Sequence, residues 1–308
     1  MTKLSGVFPV VPTPFTGDGA ADPAAFLRLV DFALSCGVDG LVFPGMASEV
    51  ETLKPEERAD LVAALGRHLA GRVPFIVGAS DADPLRAAAR AEEGRLAGAK
   101  AAMIMAPNGL GRDPVKHADF YAPVAAHTEL PIMLQNAPAP MGAGLQPEEV
   151  TAVVKAVPAI RFVKEETLPC GQHVTRILAE AGDRLDGVFG GAGGRYVVDE
   201  LARGAAGTMP AIEIADVHAA LVRAWNAGDR ATARRLYNVS LPLLTFQAVF
   251  RVRATKEVLR RRGLLTSTMA RAAGPVPDAD DIRELEALLA DARSLFDIHP
   301  PHLDREAA

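Results

Sequence analysis

A chain of 308 residues is long enough for one large domain with an appendage or for two ordinary domains, and 49% hydrophobic with 23% charged residues is the composition of a folded globule. A net charge of -5 offers no broad basic surface to phosphate backbones, so nucleic acid is excluded as the expected partner, and no apolar run approaches the roughly 20 residues of a membrane span. Two cysteines, Cys36 and Cys170, are too few for a disulfide framework, and the scattered histidines form no H-E-x-x-H, so neither a disulfide scaffold nor a metal site is expected.

The opening MTKLSGVFPVVPTPF has no signal-peptide core of useful length and runs directly into apparent structure, which predicts a soluble cytoplasmic protein. From there short apolar runs alternate with alanine-rich helical stretches. The runs are GVFPVVP (6–12), VDGLVFPG (38–45), VPFIVGAS (73–80), AAMIMAP (101–107), LPIMLQNAP (130–138), IRFVKEE (160–166), LDGVFGG (185–191) and AAGTMPA (205–211). Near-continuous apolarity without polar alternation suits parallel strands covered on both faces. The stretches between them, such as DPAAFLRLVDFALSCG with Asp22 as cap and Pro23 in the first turn, have helix punctuation. Eight strand-then-helix units predict a (β/α)8 TIM barrel over residues 1–228. The competing open doubly wound sheet lacks a G-x-G-x-x-G after its first strand. From residue 229 the pattern is helical only, which predicts a C-terminal helical appendage over 229–308 with AAGPVPDAD (272–280) as its linker.

Barrel enzymes keep their chemistry where the strands end, so the closing residue of each run is the one to inspect. Of seven lysines, Lys3, Lys54, Lys100, Lys116, Lys155 and Lys256 fall before strands, in helices or at the terminus; Lys164 alone closes a strand. It is either a barrel-mouth ion pair with Glu165 or Glu166, or a nucleophile whose neutral amine attacks a carbonyl to make a Schiff base. By alternation Glu165 points outward, the place for a surface pair, and Glu166 shares the face of Lys164, where a carboxylate moves protons beside an iminium. In GMASE after the second strand, Gly45 permits a tight turn and the N–H groups of Met46, Ala47 and Ser48 could nest a carboxylate; Glu49 would cap or pair locally. Gly190, Gly191, Gly193 and Gly194 either leave space for a substrate's polar tail or make a tight turn. Cys170 opens the helix after the lysine, as a small helix-start residue or as a thiol of lowered pKa. Tyr121 and Tyr196 are read into helices.

These segments together resemble the dihydrodipicolinate synthase and N-acetylneuraminate lyase superfamily over nearly the whole chain. The resemblance is carried by GVFPVVPTPF, the turn GMASE, LQNAP followed by Gly142, VKEE, FGGAGG, GAAGTMP and the tail ATKEVLRRRGLL. It implies a lyase in which Lys164 forms an imine with the keto group of a 2-oxo acid whose carboxylate sits on the turn at Met46 and Ala47. The other substrate contacts would come from Gly45, Ser48, Asn136, Gly190, Gly191 and Met209, with Lys164, Glu166 and Gln135 as the catalytic set and with Glu166, or Ser48 through water, donating the proton to a leaving hydroxyl. Aldolases and synthases of the family carry a tyrosine in Y-N-x-P at the end of strand five as proton relay; here that position is Gln135, and an amide does not shuttle a proton as a phenol does. A dehydratase of a 2-keto-3-deoxy sugar acid is therefore the function expected. The resemblance also covers a deaminase of hydroxylated pyrroline carboxylates, a pyruvate-dependent aldolase or synthase, and a 2-oxo acid sensor without turnover. It implies a homotetramer or dimer and no metal or organic cofactor.

Overall fold

Five helices open on a proline: α1 (Pro23–Ser35), α2 (Pro55–Leu69), α3 (Pro84–Leu96), α4 (Pro114–Ala126) and α5 (Pro147–Ala156). A proline at the first helical position gives up no hydrogen bond, because the first-turn N–H groups have no partner within the helix. Asp22, Asp83 and Asp113 cap three of them by accepting from first-turn amides. The computed structural model, which describes residues 4–296, continues with α6 (Cys170–Ala181), α7 (Val197–Ala202) and α8 (Ala215–Asn226).

Between the helices lie eight parallel strands, each inside one of the predicted apolar runs: β1 (Gly6–Val7), β2 (Leu41–Val42), β3 (Phe75–Gly78), β4 (Ala101–Ile104), β5 (Ile132–Asn136), β6 (Ile160–Glu165), β7 (Gly187–Gly190) and β8 (Gly207–Thr208). They pair in the order β1-β8-β7-β6-β5-β4-β3-β2. A parallel bridge between Val10 and Val42 closes the gap between β1 and β2, with Val11 N–H donating to the Val42 carbonyl at 3.1 Å. The result is a TIM barrel. Strand alternation sorts the apolar side chains into an inner core, with Phe8, Ile76, Met103, Met133, Phe162 and Phe189, and an outer layer under the helices, with Val77, Ile104, Leu134, Val163 and Val188. Phe8 and Phe189 meet edge to face at 5.6 Å, and burying each such ring stabilises the barrel by roughly 1.5–3 kcal/mol.

Among the described residues three helices follow the barrel: α9 (Arg230–Phe250), packed along α8, then α10 (Val252–Arg261) and α11 (Ala279–Ala292). Within the predicted linker, Asp278 caps α11 by accepting from the amides of Asp280 and Asp281. Residues 297–308 of the expected helical region lie outside the described residues, as does Lys3. Among the described residues no helix is long and apolar enough to cross a membrane.

Candidate active site

Lys164 faces the barrel interior because β6 loses one residue of register against β5. Ile160 pairs with Ile132 and both pack outward under the helices; Phe162 pairs with Met133, leaving Arg161 without a partner. The extra residue flips the alternation. Phe162, Lys164 and, just past the strand, Glu166 then face inward, and Gln135 stands beside Lys164 in register.

The three expected catalytic residues meet. The Glu166 carboxylate lies 3.2 Å from Lys164 Nζ, accepts from Gln135 Nε2 at 2.8 Å and accepts from the Ala192 N–H at 3.0 Å. Burial pushes this carboxyl up, but the Lys164 ammonium, the Ala192 N–H and the Gln135 amide outweigh it and hold it below the ordinary carboxylate range. Lys164 and Glu166 border a cavity lined also by Met46, Ala47, Met103 and Met209. The geometry shows the ion pair, and the same pair has the arrangement that the nucleophile reading requires. Gln135 borders the adjoining cleft, which shares Gly45, Met46 and Met103 with the cavity.

The turn after β2 is a single helical turn, Met46–Ser48, preceded by Gly45. The N–H groups of Met46 and Ala47 carry no hydrogen bond among the described residues, so they are free to receive an anion in the cavity. Ser48 does not join them. Its hydroxyl donates to the Val11 carbonyl at 2.6 Å and accepts from Gly45 N–H at 2.9 Å, which closes the turn. The turn continues into Glu49, whose φ of 57° is strained for a residue with a side chain. Glu49 pairs not locally but with Lys256 of α10, at 2.5 Å, and accepts from the Ala272 N–H at 2.6 Å. Lys256 also donates to the Met269 carbonyl at 2.6 Å. The segment between α10 and α11 is thus strapped to the turn that offers the free amides. Lys256, read from sequence only as a helix residue, positions this part of the site. Its signal was available: it lies on the apolar stripe Val252, Lys256, Leu259.

Other expectations need correction. Asn136, read as a substrate contact, neighbours Gln135 on the strand and therefore faces the opposite way, where its amide donates to Glu165 at 2.8 Å and to the Leu145 carbonyl at 2.8 Å. Glu165 does point outward, but it is fully buried rather than at the surface, because helices cover the outside of a barrel. It accepts from Asn136 and from the Thr167 N–H at 2.7 Å, which fixes the chain just after Glu166. The glycines make room for protein: a Cβ on Gly190 would overlap Glu200, one on Gly191 would overlap Glu166, and one on Gly194 would stand 2.7 Å from His218 Nε2. Of that run Gly193 borders the cavity. Burial pushes the Cys170 thiol up to about 12, and the neighbouring Glu200 adds to this, the opposite of the lowered value that one of the two readings expected.

The chain matches the dihydrodipicolinate synthetase family over residues 3–291. It is 31% identical over 294 residues to an L-2-keto-3-deoxyarabonate dehydratase of Azospirillum brasilense, covering 94% of each chain. It is 32% identical over 304 residues to a 4-hydroxy-tetrahydrodipicolinate synthase of Thermomicrobium roseum, covering 92% of this chain and 94% of the relative. The crystal structure of a dihydrodipicolinate synthase from Rhodopseudomonas palustris superimposes with a TM-score of 0.87 at 26% identity, covering 94% of this chain and 98% of the other. Similar identity to a dehydratase and to a synthase leaves the reaction to the residues of the site, while the family match over nearly the whole chain and the fold agree on kinship: the chain is a lyase and belongs to the dihydrodipicolinate synthetase family.

Proposed function

We propose that this lyase removes water from a 2-keto-3-deoxy sugar acid through an imine on Lys164. The observation that carries the reading is the Glu166 carboxylate, 3.2 Å from Lys164 Nζ and tethered by the Gln135 amide where a phenol relay would be needed for carbon-carbon cleavage. Lys164, deprotonated, attacks C2, and loss of water from the carbinolamine gives the iminium, with the substrate carboxylate on the free amides of Met46 and Ala47. The iminium acidifies the C3 protons, and Glu166 takes one. The enamine that results expels the C4 hydroxyl, which leaves as water with the proton that Glu166 returns. For a five-carbon acid, loss of a C5 proton from the conjugated iminium then gives an enol that tautomerises to an aldehyde, and hydrolysis of the imine frees Lys164. Starting from 2-keto-3-deoxy-L-arabonate the product is 2-oxoglutarate semialdehyde. The iminium is the electron sink, so the reaction needs no metal or organic cofactor.

The same reading carries a homotetramer or dimer in the cytoplasm, to be checked by sedimentation and fractionation. The chemistry is tested by incubating the protein with a panel of 2-keto-3-deoxy acids and identifying the products by mass spectrometry. A product lighter by one water supports the proposal. Release of pyruvate makes the chain an aldolase and sinks it, as does ammonia from a hydroxylated pyrroline carboxylate with no turnover of the keto-deoxy acids.

A further inference from the structure

We infer that the acid this site binds best carries a second negative charge at its far end, a carboxylate or a phosphate received by Arg195, Arg251 and Arg253, so that 2-keto-3-deoxy-L-arabonate, which ends in a hydroxymethyl group, is a weaker-binding member of the same class. This deepens the reading above and rests on its Lys164 imine, not on the elimination that follows.

All three arginines line the cavity that holds Lys164, Arg195 from the turn after β7 and the other two from the corner between α9 and α10. Many arginines of the chain find carboxylates, as Arg271 does with Glu57, Arg262 with Asp216 and Arg112 with Glu149, and others, such as Arg72 and Arg223, donate to carbonyls on the protein surface or between elements. The three that line this cavity have no carboxylate partner among the described residues. Among the described residues Arg195 donates to the Leu244 carbonyl at a long 3.5 Å, Arg251 reaches Met141 Sδ at 3.2 Å, and Arg253 donates to the Ala272 carbonyl at 3.2 Å. The Arg253 Nε is buried with no hydrogen-bond partner among the described residues. Glu166 is the one carboxylate among the described lining residues, and it is already held by Lys164, Gln135 and Ala192.

A guanidinium presents its N–H groups in a planar fork that matches carboxylate or phosphate oxygens two at a time. The three arginines border a cavity whose one carboxylate among the described lining residues is already taken, and the matching partner for the forks is an anion that arrives with the substrate. The 2-oxo carboxylate supplies one charge, which the free amides of Met46 and Ala47 receive near Lys164. Three guanidinium groups then remain for the other end.

The backbone gives a second, independent sign. Arg251 has φ 51° and ψ −124°, a conformation that costs a residue with a side chain on the order of 1–3 kcal/mol. That strain sits at the corner that brings Arg251 and Arg253 to the cavity wall. The consequence for specificity is direct: a keto-deoxy acid ending in a carboxylate or phosphate binds better than one ending in a hydroxymethyl group.

The test is borohydride trapping of the imine, read by intact mass, with pyruvate, 2-oxovalerate, 2-oxoglutarate and 2-oxo-4-phosphonobutanoate. In the wild type, 2-oxoglutarate or the phosphonate should reach half-maximal trapping at a concentration at least about tenfold below 2-oxovalerate, the advantage of one charge-assisted contact. Whichever of the two is trapped at lower concentration identifies the anion as carboxylate or phosphate. In the doubly substituted Arg251→Ala, Arg253→Ala protein the ratio between 2-oxoglutarate and pyruvate should collapse towards that of 2-oxovalerate and pyruvate. Equal trapping of 2-oxovalerate and both dianions by the wild type overturns the inference without any variant. So does a variant that loses pyruvate and 2-oxoglutarate by the same factor, since its arginines would then hold the 2-oxo carboxylate. A protein that discriminates by charge yet dehydrates nothing refutes the elimination and keeps the arginine site. A protein that traps no acid refutes the imine and this inference with it.

Discussion

The barrel mouth holds two buried lysine-glutamate pairs, and they differ in what surrounds them. Lys256 and Glu49 lie 2.5 Å apart and fully enclosed; the lysine also donates to the Met269 carbonyl and stands 4.3 Å over the Phe15 ring, and the glutamate also accepts from Ala272. Burial lowers the Lys256 ammonium from its ordinary range while Glu49 opposes the change. Lys164 has Glu166 as its one polar contact among the described residues and otherwise faces a cavity. An ammonium has three protons to donate. The closed pair has spent its donors on protein and fixes the strap to the turn; the open pair has donors and space left for a substrate carbonyl. Burial alone would not make a lysine a nucleophile; under the proposed mechanism, what sets Lys164 apart is its unfilled coordination beside a cavity, with Glu166 as the neighbouring base.

The strongest way to break this contrast is Lys164→Ala. It should abolish both turnover and borohydride trapping with pyruvate, and peptide mapping of the trapped wild type should find the adduct on Lys164; an adduct on Lys256 would erase the distinction. Next is Glu166→Gln, which keeps the shape and removes the base, and should lower kcat by about 10²–10⁴-fold while pyruvate is still trapped. Undiminished kcat would show that another group moves the proton. Lys256→Met should act on stability instead. Leaving Glu49 enclosed without its partner costs about 3–5 kcal/mol in urea unfolding, and adding Glu49→Gln should recover part of it, because the stranded charge is gone. Lys164→Ala should cost less than Lys256→Met in the same measurement, since water entering the cavity re-solvates Glu166. Equal costs would mean that the two pairs are equivalent structural links.

The contrast marks what the sequence makes legible. Eight strands could be read because parallel strands covered on both faces are apolar along their length, and Lys164 stood out as the charge that ends one of them. Glu166 followed from alternation, and the same rule applied to Gln135 would have sent Asn136 outward. Alternation gives direction but not depth, so Glu165 was placed on the correct face and at the wrong exposure. The slip at Arg161 was invisible because a bulge carries no composition signal, yet Lys164 owes its inward direction to it. The Glu49 and Lys256 pairing spans 207 residues of sequence, and the arginines of the α9–α10 corner reach the cavity only once the tail folds back over the barrel. Local patterns find elements, whereas partners across the chain are set by packing.

The strap offers a last and smaller comparison at its outer edge, where Arg271 holds Glu57 through two bonds of 2.7 Å and also donates to the carbonyls of Gly19 and Thr52. This pair is partly exposed, unlike Glu49 and Lys256. The bonds from Arg271 lower the Glu57 carboxyl to about 2, against the opposing effect of burial. A carboxyl whose folded value lies below its ordinary 4.5 contributes stability that is complete above 4.5 and is lost as the pH falls towards about 2. Glu57→Gln removes the charge but keeps an acceptor for the Lys54 N–H that begins α2, so the difference isolates the ion pair from the helix cap. The expected loss at neutral pH is about 1 kcal/mol or less, as for other solvent-screened pairs. The gap between wild type and variant in thermal unfolding should narrow as the pH drops below about 4.5 and as salt is added. A gap that ignores both would assign the contribution of Arg271 to its carbonyl contacts and to its packing on Phe15, 4.2 Å away, rather than to charge.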